Sequence, residues 1–176
     1  PTEALTIYPN GFQATLKSNI NDYSNSTGLR YSYDGWKIDL SNTFGFNSFK
    51  YNVDNSINYS LGVDSPTSFY AGKHSFLQNT VNLDFSKRIN QNFSLAFGGE
   101  YRYEKYQIEA GDESSYKGSG SESFVGFSPL NAVKGDRNSV AVYVDGELKF
   151  GDFTANAAGR FENYSDFGST INGKLA

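Results

Sequence analysis

The stretch SVAVYVDGELKFGDFTANAAGRFENY, residues 139–164, decides the fold. Apolar and polar side chains alternate from Val140 to Phe150, and they alternate again from Phe153 onward. This period of two is typical of a β-strand with one apolar and one polar face. Gly151 and Asp152 separate the two runs, and a two-residue loop with glycine first is typical of a type II′ turn. The sequence therefore predicts a β-hairpin.

Folding the chain about Gly151 and Asp152 brings the two apolar faces together on the same side. The pairs that this register predicts are Phe150–Phe153, Leu148–Ala155 and Val142–Phe161. Asp145-Gly146 is an alternative turn signal, but the alternation runs through it without a break. Gly146 then lies on the apolar face, where we expect a neighbouring side chain to approach closely.

The composition favours β-structure and excludes several classes of protein. Among 176 residues there are 13 Tyr, 15 Phe and 18 Gly but only 4 Pro, and no apolar run is long enough for a transmembrane helix. A mean hydropathy of -0.54 is compatible with membrane strands, in which only alternate residues are apolar. The absence of cysteine excludes disulfides and thiol chemistry, and a net charge of -4 gives no basic surface for nucleic acid. Because methionine is also absent, we expect the chain to be cut from a longer protein.

Two further hairpins and a last strand follow the same pattern. We expect hairpins at about 23–46, 76–108 and 138–164, and a final strand at 169–176. The connections alternate between short turns, as at Asp34-Gly35, and two long polar loops at 47–74 and 109–137. Tilted strands of about 9–11 residues cross a bilayer, and short turns on one side with long loops on the other are typical of outer-membrane barrels.

Aromatic residues cluster beside the short turns, where a membrane barrel carries a lipid-facing girdle. The predicted girdle consists of Tyr33, Trp36, Phe85, Phe93, Phe150 and Phe153. The predicted fold is therefore all-β: an antiparallel up-and-down meander of about seven long strands, forming part of a transmembrane β-barrel.

The polar face of these strands carries charged side chains that would line the lumen of a barrel. They are Glu100, Arg102, Glu104, Asp145, Glu147, Arg160 and Glu162. The simpler interpretation is a solvated face with cross-strand ion pairs, each worth about 0–1 kcal/mol, and Asp145 with Arg160 is one predicted pair. Glu100 and Glu104 lie about 13 Å apart along a strand, beyond the separation of a glycosidase carboxylate pair.

Ligand contacts, if any, are expected in the long loops, which are rich in aromatic residues. The candidates are Tyr59, Phe69, Tyr70, Tyr106, Tyr116, Phe124 and Phe127. Aromatic faces suit sugars and siderophore rings, but they equally suit loops that pack on one another. The single histidine, His74, is expected to be a solvated side chain. No catalytic or metal-binding pattern stands out, so we expect neither an enzyme nor a cofactor.

The segment GRFENYSDFGST at 159–170, followed by Gly173-Lys174-Leu175, resembles the barrel of TonB-dependent outer-membrane receptors. Segments 65–69, 96–102 and 108–111 resemble it as well, in the family's order, and the similarity covers residues from about 10 to 176. The resemblance implies a barrel of roughly 22 strands, closed by an N-terminal plug, that imports a scarce nutrient with energy from an inner-membrane complex. It implies that this chain is a middle part of the barrel, with the plug and the C-terminal strands outside it.

The expected location is the outer membrane of a Gram-negative cell. The expected partners are outer-membrane lipid, the TonB complex through the plug, and a small nutrient such as an iron-siderophore, cobalamin, a sugar or a peptide. Two alternatives stay open on the residues alone. One is a soluble, secreted β-sandwich that binds glycans through its loops, and the other is an adhesin or fibre subunit assembled by strand addition.

Overall fold

A computed structural model describes residues 2–176, and it consists of one β-sheet with short helical segments between the strands. The strands are β1 (Thr15–Tyr33), β2 (Trp36–Asp54), β3 (Ser68–Arg88), β4 (Phe93–Glu109), β5 (Val133–Phe150), β6 (Phe153–Tyr164) and β7 (Gly168–Leu175). Helix α1 (Thr2–Ile7) precedes β1, a 3₁₀ helix (Tyr59–Asp64) precedes β3, and helix α2 (Glu113–Tyr116) precedes β5. None of these helices is long and apolar enough to cross a membrane.

The seven strands lie in the sheet in chain order, from β1 to β7. The predicted all-β meander is therefore confirmed. Within residues 2–176 no second sheet packs on the first, so the β-sandwich alternative is wrong for the described part of the chain.

The β5–β6 hairpin has the register that the sequence predicts. Its Cα partners include Phe150–Phe153, Leu148–Ala155, Gly146–Ala157 and Val142–Phe161. Gly151 has a positive φ of 56°, as the first position of a type II′ turn requires. A Cβ placed on Gly146 would lie 3.4 Å from the ring of Phe93, which confirms the expected close approach at this glycine.

The β1–β2 hairpin turns at Asp34 and Gly35, which have φ angles of 47° and 75°. Two successive positive φ angles are typical of a type I′ turn, whose twist matches that of paired strands. Two side-chain contacts join residues that the predicted register places opposite each other. Arg30 reaches Asp39 at 2.7 Å, and the hydroxyls of Ser26 and Thr43 are 3.2 Å apart.

Several strands extend further than their sequence pattern indicates. The segments 47–54 and 68–74, expected in a long loop, are the ends of β2 and β3, and β1 begins already at Thr15. In 47–54, Phe49, Tyr51 and Val53 do alternate with polar residues, but at odd positions, whereas the apolar residues from Trp36 to Phe46 lie at even positions. The sequence therefore does not read as one continuous strand, although the backbone pairs as one. The connections that remain are residues 55–67 and 110–132.

Contacts within the chain define two compact units. The hairpin unit comprises Ser24–Gly45, Leu77–Lys105 and Asp136–Ala176, and so contains all the short turns. The loop unit comprises the residues up to Tyr23 together with Phe46–Phe76 and Tyr106–Gly135.

In the hairpin unit, the apolar face of β5 is more exposed than the part of its polar face farthest from the turn. On β5, Val140, Val142 and Val144 are 53%, 53% and 51% exposed, whereas Ser139 and Ala141, on the other face, are buried. The loop unit has apolar side chains inside, as in a water-soluble protein. It buries Val53, Phe69 and Ala71 in a small apolar core, with Tyr51 and Phe124 packed against it.

Candidate functional site

Five of the seven predicted lumen-facing residues form ion pairs on the polar face of the sheet, namely Glu100, Arg102, Glu104, Arg160 and Glu162. Glu100 Oε1 accepts from Arg102 Nη2 at 2.8 Å and lies 3.3 Å from Arg160 Nη2. Arg160 Nε donates to Glu162 Oε1 at 2.8 Å. Glu104 pairs separately with Arg137. Strands β4, β5 and β6 therefore carry a row of charges that neutralise one another.

The predicted pair between Asp145 and Arg160 is wrong. Arg160 lies opposite Tyr143 in the sheet, and its guanidinium is directed toward Glu100 and Glu162. Asp145 instead accepts a hydrogen bond from Asn156 Nδ2 at 2.8 Å.

One polar contact on this face was not predicted. Tyr143 Oη donates to Asp84 Oδ1 at 2.7 Å, reaching across β4 at Gly98. A Cβ at Gly98 would lie 2.8 Å from the Tyr143 ring, so a side chain there would block this path. The signal in the sequence is a glycine in the polar phase of a strand, which marks close approach of a neighbour.

Near the short turns, the polar face forms an open cavity of about 350 Å³. Glu147 and Asp145 line it together with Lys37 and Arg88. Because both positive and negative side chains line the cavity, it matches a binding partner that carries both charges better than it matches a single ion.

The predicted girdle residues lie in the hairpin unit, and three of the six make ring contacts there: Trp36, Phe85 and Tyr33, which stacks on Tyr31 at 6.5 Å. Trp36 meets Phe97 edge to face at 5.7 Å, and Phe85 stacks on Phe97 at 5.1 Å. Phe93 covers Gly146. Tyr33, Phe150 and Phe153 are exposed. Phe97 contacts the rings of both Trp36 on β2 and Phe85 on β3. It was not among the predicted girdle residues, because it lies two positions from Leu95 in an ordinary alternating run.

In the loop unit, five rings from three segments form an aromatic cluster, which consists of Phe49, Tyr51, His74, Phe124 and Phe127. Tyr51 stacks on Phe124 at 5.2 Å and meets Phe127 edge to face at 5.8 Å. The imidazole of His74 stacks on Phe49 at 5.5 Å. The expectation that His74 is merely solvated is therefore wrong, since its ring packs between aromatic neighbours.

The other predicted loop aromatics do not share one place. Phe69 is only 2% exposed within the apolar core, so it offers no surface to a ligand, and this candidate contact is wrong. Tyr70 lies under the ammonium of Lys50, 4.9 Å from the ring centroid. Burial raises the pKa of Tyr70, and the carboxylates of Glu109 and Asp112 add to the effect. The remaining candidates lie on the 3₁₀ helix, β4 and α2: Tyr59, Tyr106 and Tyr116.

The two long connections of the loop unit are fastened to each other by the buried amide of Asn58. Its Nδ2 donates to the carbonyl oxygens of Ser114 at 2.7 Å and Lys117 at 2.8 Å. Its Oδ1 accepts from the amide of Ser60 at 2.9 Å and from Ser119 Oγ at 3.0 Å. All the hydrogen-bonding capacity of this amide is used, so residues 58–60 and 114–119 form one ordered surface rather than independent loops.

Among the side chains that the structure describes, those of residues 4–176, no group of three or more histidine or acidic residues is arranged to hold a metal ion. The arrangement therefore offers two surfaces: a charged sheet face in the hairpin unit and an ordered aromatic cluster in the loop unit.

Comparison with known proteins agrees with this architecture. No curated protein matches the chain. The model of the family described as TonB dependent receptor-like, beta-barrel, matches residues 2–175, which is nearly the whole chain. The resemblance found in the sequence is thereby confirmed, and the chain belongs to the family of TonB-dependent receptor-like β-barrels.

Proposed function

We propose that this chain forms part of the wall of a Gram-negative outer-membrane receptor, and that the whole receptor takes up a scarce nutrient actively. The family of receptor barrels supports the general role. The observation that carries the proposal for this chain is the half-exposed apolar face of the hairpin unit. Val140, Val142 and Val144 face outward while the polar side chains bind one another, as expected of strands in contact with lipid.

The membrane-spanning parts of the strands are, in this proposal, the portions of about ten residues next to the short turns. Trp36, Phe85 and Phe97 then lie at one membrane interface, where aromatic rings are favoured. A soluble sheet with this face uncovered would present a large apolar patch to water, which monomeric soluble proteins avoid.

In the loop unit, we propose that the exposed edges of the aromatic cluster contribute to capture of the nutrient. The cluster supports this role because it is held in place by ring packing and by two hydrogen bonds, from Phe127 N to Ala71 O at 2.8 Å and from Ser121 Oγ to Phe124 O at 2.7 Å. The proposed nutrient is an iron-siderophore, cobalamin, a sugar or a peptide. Release into the cell would follow movement of a plug that engages the TonB complex, with the charged face of the hairpin unit lining the path.

The single tryptophan provides a direct test of membrane contact. The chain is inserted into phosphatidylcholine vesicles whose acyl chains carry bromine, a short-range quencher. We expect strong quenching of Trp36. The control variant combines Trp36→Phe with Leu130→Trp, which moves the tryptophan to a 97% exposed position of the loop unit. If Trp36 is quenched no more than the tryptophan at position 130, the proposal is wrong.

A further inference from the structure

Lys87 occupies an outward-facing position of β3, where its neighbours in phase are apolar. It follows Leu83 and Phe85 at intervals of two residues, so it shares their face. Its Nζ lies 5.5 Å from the centroid of the Trp36 ring. Its stem crosses Gly35, where a Cβ would lie 3.4 Å from Lys87 Cε. Lys87 and Gly35 also line the cavity of the polar face. The side chain therefore runs along the edge of the sheet between the two faces, and its ammonium reaches the level of the turn.

A carboxylate accompanies this ammonium. Lys87 Nζ lies 3.3 Å from Asp34 Oδ2, and the lysine side chain is 23% exposed while that of Asp34 is 80% exposed. Asp34 and Gly35 form the two-residue turn that directly precedes Trp36, and both have positive φ. One negative charge, one positive charge and one aromatic ring thus stand side by side at the short-turn edge of the lipid-facing surface.

We propose that Asp34, Trp36 and Lys87 form a binding site for the phosphoethanolamine headgroup of a membrane lipid. This inference rests on the proposed membrane insertion of the hairpin unit. The headgroup phosphate accepts from the Lys87 ammonium, and the headgroup ammonium donates to the Asp34 carboxylate. The acyl chains continue over the rings of Trp36 and Phe97, which are in contact with each other.

Charge complementarity selects this headgroup over the two obvious competitors. A phosphatidylglycerol headgroup carries only the negative charge, so the Asp34 carboxylate repels it and is left without a partner. A phosphatidylcholine headgroup carries both charges, but its quaternary ammonium has no N–H to donate to Asp34. Only a primary ammonium next to a phosphate satisfies both members of the pair.

The test compares three brominated lipids that differ only in headgroup. The chain is inserted into unbrominated phosphatidylcholine vesicles containing the same small mole fraction of brominated phosphatidylethanolamine, phosphatidylcholine or phosphatidylglycerol. Quenching of Trp36 reports which lipid is enriched beside the site. We expect brominated phosphatidylethanolamine to be enriched about threefold over the other two, the scale of one net hydrogen bond or ion pair.

Two substitutions assign the preference to the charge pair. Lys87→Gln removes the phosphate contact and is expected to abolish the enrichment. Asp34→Asn keeps a residue that tolerates positive φ, and it is expected to exchange the preference for phosphatidylethanolamine for one for phosphatidylglycerol. Lys37→Gln is the matched control, because Lys37 neighbours Trp36 but has the opposite phase in the strand, and the enrichment should persist.

The possible results separate this inference from the proposed function. If none of the brominated lipids quenches Trp36, the membrane insertion itself is wrong, and the site falls with it. If all three quench equally, insertion stands and the headgroup site is wrong. If soluble phosphoethanolamine, at the same concentration as the lipid, abolishes the enrichment, recognition does not require a lipid and the assignment is overturned.

Discussion

The hairpin unit and the loop unit place their apolar side chains in opposite ways: the first exposes many of them, and the second buries several of them. In the hairpin unit, Val144 and its outward neighbours are half exposed, and the inward face is held by ion pairs such as Arg160 with Glu162. In the loop unit, Val53 and Ile57 are fully buried, and the polar group of Asn58 is enclosed with them. The difference is the one that the proposed membrane insertion predicts, with lipid around the hairpin unit and water around the loop unit.

The strongest test of this difference introduces the same positive charge into each of the two units. Val144→Arg, on the outward face of the hairpin unit, is expected to cost about 2–4 kcal/mol in folding stability, the price of a cationic side chain in the bilayer midplane. The measurement is urea unfolding of the chain in phosphatidylcholine vesicles. Val63→Arg is the matched control, because Val63 is 59% exposed in the loop unit against 51% for Val144.

The control variant should change the free energy of unfolding by less than about 0.5 kcal/mol, as surface substitutions in water usually do. Equal losses at positions 144 and 63 would mean that both units face the same solvent, and the comparison would fail.

The second prediction concerns the polar core of the loop unit. Asn58→Ala leaves the carbonyl groups of Ser114 and Lys117 without their donor, at a cost of about 1–3 kcal/mol for each unsatisfied buried group. We expect faster hydrogen exchange at the amides of Ser60 and Ser119. Asn25→Ala serves as control, since Asn25 is exposed and accepts only a local hydrogen bond from Thr27. Unchanged exchange at Ser60 in Asn58→Ala would show that the amide does not fasten the loops.

The smallest expected effect is a pH dependence in the loop unit. A hydrogen bond from Lys17, 2.7 Å away, holds the pKa of Asp54 below its ordinary value, and Ser68 contributes in the same direction. Because the folded pKa is depressed, the stabilisation is present above the unfolded pKa and is lost as pH falls through the folded pKa. Titration of the Asp54 carboxyl by NMR in Lys17→Gln should show the pKa moving up; an unmoved pKa would contradict this account.

Sequence alone predicted the hairpin unit well because its two faces differ in chemistry. Alternation from Val140 to Phe150 fixed the strand, its face and its pairing with Phe153. The partners of individual charges were not predictable, since a long side chain such as that of Arg160 reaches several carboxylates, and its choice of Glu100 depends on a strand distant in sequence.

The loop unit was hardly predictable. The alternation of Phe49, Tyr51 and Val53 has the opposite phase to that of the preceding strand, so it does not read as a continuation of it. The aromatic cluster joins Phe49 and His74 to Phe124, which lies on another connection. The glycines carry a signal for close contacts that the alternation does not. Gly72 has a φ of 113°, and a Cβ there would lie 2.7 Å from the Phe127 ring, which marks a close crossing that no alternation could show.

The turn at Gly151 and Asp152 has a consequence for how this protein tolerates change in length. Because β5 and β6 are paired residue by residue from Ser139–Tyr164 to Phe150–Phe153, an odd number of residues added to β6 between the turn and Arg160 would direct Arg160 and Glu162 toward the apolar face. The same addition to β5 would instead reverse the side chains of β5 that lie beyond it. An even number would preserve the orientation of every side chain beyond it. We therefore expect insertions and deletions within the strands of such barrels to involve even numbers of residues. The connections between strands can change in length by any number.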